Sequence, residues 1–198
     1  GVMAWWLSLR AVGENLPWLA SARIHIQANL AKYLPGYAWQ LVGKAYLTKQ
    51  AGLTAEQVGL VMVVELAELF LAGLGLAGLT LPSELLSFLG WQHPGFDPTW
   101  LIRLGGGVLL FLFPLGIAWF ARRRQKHSPS IVQTRLIYAA SGAMLAGWLL
   151  DGVCFWLLAG GISPIPVDRL DEFIFILTIS LVLGCLIVIL PGSFRVRD

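Results

Sequence analysis

Hydrophobic and polar positions alternate along this chain in long blocks rather than in the short periods of a soluble fold. Val2 to Val12 is almost wholly apolar and reads as the tail of a helix that leaves an apolar medium near Arg10. Ser21 to Lys32 mixes Arg23, His25, Gln27 and Asn29 with apolar residues, a pattern that suits an interfacial or re-entrant helix. A second short helix is predicted from Gly36 to Lys49, with Lys44 and Lys49 on its polar side. The first complete span starts at Thr54, where Thr54 and Gln57 match a capping box, and runs to about Leu81. Leu81 to Trp100 is a connector with three prolines. Apolar runs follow at Leu101 to Phe120, with a kink expected at Pro114, at Leu136 to Ala159, and at Phe173 to Leu190. Each approaches the ~20 residues that cross a bilayer as a helix.

The breaks in this pattern are as informative as the runs. Leu34-Pro35-Gly36 interrupts helical patterning that approaches from both sides, and the tripeptide returns as Leu190-Pro191-Gly192. Proline removes a backbone donor and glycine tolerates a reversal. Backbone freed at membrane depth has to line a cavity or be buried in protein. The expected architecture is therefore an all-α polytopic integral membrane protein, one transmembrane domain over residues 1–198. It has about four full spans, a partial N-terminal span, and broken, re-entrant helices at the two Leu-Pro-Gly motifs. Substitution of Gly36 by leucine is expected to be more damaging than leucine at Gly75, within the first full span.

Composition supports the membrane reading. Apolar residues make up 57% and charged residues 13%, and mean hydropathy is +0.74, against about 45–50% and about 25% in soluble domains. The pI of 9.1 does not point to nucleic acid, because the basic residues gather at the ends of spans. With the Arg122–Lys126 loop placed in the cytoplasm, 12 of the 14 lysines and arginines fall on that side, leaving Arg103 and Arg169 outside. Cys154 and Cys185 lie inside apolar runs and imply no disulfide framework. The first run is too short to span, and Asp198 follows directly on a helix break. The expectation is a fragment lacking both ends.

Few residues can carry chemistry. Glu65 lies eleven residues past Thr54, about 16 Å along the span, and Glu68 shares its face. A carboxylate at such depth costs about 2.5–3.5 kcal/mol or more. It either faces a cavity, where two acids on one face make one of them a candidate proton carrier, or pairs with Lys44 or an arginine and ties helices together. Lys32, Lys44 and Lys49 flank the first break. A helix starting after Gly36 aims free N–H groups at an anion, and Lys44, two turns on, would reinforce such a site. Arg195 and Arg197 follow the second break and suit a phosphate clamp or a basic flank. Asp151 reads as a helix-pairing residue. His25, His93 and His127 have no metal-ligand spacing, and no P-loop, GxSxG or CxxC occurs. The expectation is no enzyme, no metal and no cofactor; a catalytic domain beyond the two ends stays open.

Tyr33-Leu34-Pro35-Gly36-Tyr37-Ala38-Trp39-Gln40, then Gly43-Lys44-Ala45-Tyr46-Leu47, then Ala51-Gly52-Leu53-Thr54, then Glu65, and finally Leu190-Pro191-Gly192-Ser193-Phe194-Arg195-Val196-Arg197-Asp198 form an ordered set. It resembles the flippase-like transmembrane region of lysylphosphatidylglycerol synthases, over essentially the whole chain. Lys44 stands where that family usually has arginine, Trp39-Gln40 replaces a common Gly-Asp, and Ser193 and Arg195 replace glycines. The resemblance implies about two further spans at each end, a bacterial inner-membrane location, and movement of an anionic phospholipid or lipid-linked glycan between leaflets. Some members carry a soluble aminoacyltransferase domain. The headgroup-binding set it implies is Pro35, Gly36, Trp39, Gln40, Lys44, Glu65, Glu68, Pro191, Gly192, Arg195 and Arg197. The competing expectation is a non-transporting accessory subunit, with partners in a homo-oligomer or a larger membrane complex.

Overall fold

The computed structural model describes residues 1–31, 38–88, 90, 98–124 and 132–189. Both Leu-Pro-Gly motifs, with Arg195 and Arg197, lie outside the described residues. Every regular element among those described is helical: α1 (Val2–Ala11), α2 (Trp18–Leu30), α3 (Ala38–Gln50), α4 (Ala55–Leu79), α5 (Ser83–Phe88), α6 (Thr99–Arg124), α7 (Thr134–Gly160), a 3-10 turn (Val167–Arg169) and α8 (Leu170–Ile189). Three of them, α4, α6 and α7, are long and apolar enough to cross a membrane. The run expected as a fourth crossing, Phe173–Leu190, falls within α8 apart from Leu190. The connector contains a short helix, α5, that the prolines conceal in the sequence.

α4 begins as its sequence dictates. The Thr54 N–H donates to Gln57 Oε1 at 2.6 Å, and the Gln57 N–H donates to Thr54 Oγ1 at 3.3 Å. This reciprocal cap satisfies two of the donors that a helix start leaves free. Just before it, Gly52 takes φ of +101°, which a Cβ would strain, and closes a tight turn after α3. α3 and α4 therefore form an antiparallel hairpin.

α4 is the central helix and packs against α1, α3, α6, α7 and α8. Its approach to α6 is made by glycine. A Cβ on Gly106 would sit 2.6 Å from both Gly75 O and Leu79 N, and one on Gly78 would sit 3.2 Å from Gly106 Cα. Close backbone contact replaces the hydrophobic effect, which is absent between helices in lipid. Gly75 is no neutral position: its Cβ would meet Leu110 Cδ2 at 2.6 Å. Leucine at Gly75 has to displace that side chain, and Gly36, the other half of the expected comparison, lies outside the described residues. Gly152 against Ile174 brings α7 and α8 together in the same way.

α6 continues through Pro114, which is buried. In the turn that Pro114 weakens, the Tyr138 hydroxyl donates to Phe111 O at 3.1 Å. Arg103 of α6 donates from Nε and Nη2 to Leu81 O at 3.1 and 2.8 Å and so closes the far end of α4. At the other end of α6, Arg122 Nη2 donates to Thr134 Oγ1 of α7 at 2.7 Å. The Gln133 N–H donates to Ala11 O at 3.0 Å, seating α7 beside α1.

Candidate functional site

The α3–α4 hairpin sets the site. Lys44 lies ten residues before Thr54 and Glu65 eleven after it, so at about 1.5 Å per residue they stand level, roughly 15 Å from the turn. They form a direct ion pair. The Lys44 side chain is 4% exposed and that of Glu65 16%. The Lys44 ammonium also lies 3.1 Å from His25 Nδ1 of α2 and 3.8 Å from the ring centroid of Trp5 of α1. One cation thus has three partners from three helices: a carboxylate, an imidazole nitrogen and an indole face.

An ammonium has donors and no acceptor. His25 Nδ1 therefore accepts from Lys44, and the imidazole is neutral with its proton on Nε2. His25 Nδ1 is also 3.9 Å from Glu65 Oε1. With His25 neutral, that approach is a contact rather than a second ion pair, and Lys44 and Glu65 cancel each other.

Glu68 lies one turn further along α4 and is completely buried against α1. Ser8 Oγ stands 2.8 Å from Glu68 Oε2 and 2.8 Å from Ala4 O. The Ser8 hydroxyl donates to Glu68 Oε2 and to Ala4 O as a shared bond, or, where its proton goes to Ala4 O alone, a protonated Glu68 donates to Ser8 Oγ in return. Glu68 Oε1 has no hydrogen-bond partner among the described residues.

Of the sequence-predicted residues, Lys44, Glu65 and Glu68 come together between α1, α3 and α4. Gln40 Nε2 donates to Asn29 Oδ1 and ties α3 to α2, outside the charged contacts. Trp39 is 53% exposed. Pro35, Gly36, Pro191, Gly192, Arg195 and Arg197 fall outside the described residues. Trp5, Ser8 and His25 were missed. His25 carried a signal, an imidazole on the apolar side of a mixed helix, but it lacked metal-ligand spacing. Among the described residues no group of His, Cys, Asp and Glu could hold a metal ion. Asp151 is exposed on α7, away from this cluster. No family model, curated protein or solved structure matches the chain.

Proposed function

We propose that this chain binds the headgroup of an anionic phospholipid or lipid-linked glycan at the Lys44–Glu65 cluster and passes it between leaflets. In this reading the α2–α3 hairpin re-enters the membrane at Pro35-Gly36, α8 is a fourth crossing, and the Arg122–Lys126 loop is cytoplasmic. The observation that carries the proposal is the buried Lys44 ammonium of α3, held by partners from three other helices. The resemblance of the ordered motifs to the flippase-like transmembrane region adds support.

A phosphate reaching Lys44 has to compete with Glu65. Glu65 can leave the pair if it takes up a proton or meets a cationic headgroup group, and its 16% exposure gives it room to do so. Lys44 is then the phosphate counter-ion, and Glu65 returns to close the pair after release. Arg195 and Arg197, which lie outside the described residues, are the further phosphate ligands of this reading.

The test is lipid exchange in reconstituted vesicles. Glu65→Gln keeps the shape of the side chain and removes its charge, so exchange is expected to fall at least tenfold while the protein still folds. Exchange equal to wild type would overturn transport. The accessory reading has its own observation: the two charges already satisfy each other inside the helix cluster, as they do in a structural tie. It expects Glu65→Gln to weaken stability or assembly and leave exchange untouched.

A further inference from the structure

On the side of α4 that meets α6, the two helices leave an apolar groove of about 440 Å³. Val64, Ala67 and Leu71 line it from α4, and Leu109, Gly116 and Phe120 from α6. From Leu109 to Phe120 is about 16 Å at ~1.5 Å per residue. The groove is elongated and lined by apolar residues throughout, as an extended acyl chain requires.

One end of the groove is charged. Arg123 and Arg124 stand three and four residues beyond Phe120 and continue the same face of α6. The Arg124 guanidinium lies 5.5 Å from the ring of Phe120, itself a wall of the groove, and that of Arg123 lies 4.0 Å over Trp119. Both are exposed and neither forms an ion pair among the described residues. Arg122 is turned to Thr134 and is spent on holding α7. Glu56, in the first turn of α4, is exposed and is outnumbered by the two guanidinium groups. Two guanidinium groups fixed by aromatic rings match the planar, bidentate geometry of a phosphate.

We propose that the α4–α6 groove holds one acyl chain of an anionic phospholipid, with the lipid phosphate on Arg123 and Arg124. This lipid is bound rather than carried. It occupies a different face of α4 from the Lys44–Glu65 cluster, so the proposal stands whether or not that cluster transports anything.

The experiment measures retention of added phosphatidylglycerol and phosphatidylcholine, with identical chains, by the detergent-solubilised protein in native mass spectrometry. Wild type is expected to hold one phosphatidylglycerol in preference to phosphatidylcholine. Arg123→Gln with Arg124→Gln, both exposed, should weaken phosphatidylglycerol about thirtyfold, since each basic group facing an anionic lipid contributes about fivefold, and leave phosphatidylcholine unchanged. Gly116→Phe fills the groove, where a Cβ at Gly116 meets nothing within 4 Å, and should weaken both lipids. Lys49→Gln, an exposed lysine outside both sites, should change neither. Equal retention of the two lipids by wild type, retention unchanged in the arginine variant, or loss in Lys49→Gln would overturn the proposal. So would a photo-crosslinker at position 116 that captures a polypeptide in place of lipid.

Discussion

Removing both members of the Lys44–Glu65 pair should cost less than the sum of removing each alone. Lys44→Met leaves Glu65 without its cation in a helix cluster where the Lys44 side chain was 4% exposed, and breaking a buried pair costs about 3–5 kcal/mol. Loss of the Trp5 face, 3.8 Å from the ammonium, adds up to about 2 kcal/mol for a desolvated cation. Glu65→Gln leaves the ammonium with only His25 and Trp5, and a cost near the lower end of the same range is expected. The double variant carries neither orphan charge, and methionine occupies the volume of the lysine stem. Its loss should be smaller than the sum of the singles by about 2–3 kcal/mol. The assay is reversible unfolding in mixed micelles followed by tryptophan fluorescence, with the four proteins forming a double-mutant cycle. Independent sites add to within about 0.5 kcal/mol. Additivity at that level would mean that the two charges do not depend on each other, and the site as described would be wrong.

Three further outcomes are expected. Gly106→Val should destabilise the α4–α6 crossing by about 3 kcal/mol, because its Cβ would fall 2.6 Å from backbone atoms of Gly75 and Leu79. Gly105→Ala, which meets nothing within 4 Å, should stay close to wild type in the same thermal melt. Glu68→Gln should fall within about 1 kcal/mol of wild type, because its amide can donate to Ser8 Oγ as a protonated carboxyl does, whereas Glu68→Ala should cost about 2 kcal/mol or more. A loss in Glu68→Gln as large as that in Glu68→Ala would rule out a protonated Glu68 donating to Ser8. Cysteines placed in Arg122–Lys126 should be labelled from the cytoplasmic side alone and those in Gln92–Asp97 from the other, and the reverse pattern would invert the assigned orientation.

The parts of this fold legible in sequence are those fixed by local chemistry. The Thr54–Gln57 cap is set by two residues three apart, and the spans by unbroken apolar length. The level of Lys44 with Glu65 was also within reach, because a tight turn at Gly52 makes residues at equal distances from it neighbours. The sequence supplied the turn, the lysine and the acid, and pairing of Lys44 with Glu65 was one of two readings it allowed. Partners brought by other helices were out of reach. Trp5 and Ser8 sit in a short apolar run, and nothing in their spacing says that α1 lies against α3 and α4. α5 was hidden for the opposite reason: six residues between prolines read as connector until their placement is known.

Glu65 and Glu68 show how far one helix face can be divided. They lie three residues apart on α4, which from sequence alone suggests one shared acidic site. The folded chain gives them opposite solutions. Glu65 keeps its charge by meeting a lysine from the hairpin and retains some exposure, while Glu68, fully buried, meets a hydroxyl whose own proton already has an acceptor. A proton bound at Glu68 needs no counter-ion, and a charge on Glu65 needs Lys44. In the transport reading, an anion that draws Lys44 away from Glu65 creates a demand for a proton or a cation at Glu65, and a protonated Glu68, one turn away on the same helix, can meet it. That coupling makes a distinct claim about transport. Lipid exchange that depends on Lys44 should carry a pH dependence that Glu68→Gln alters, even though the same substitution leaves the fold nearly as stable.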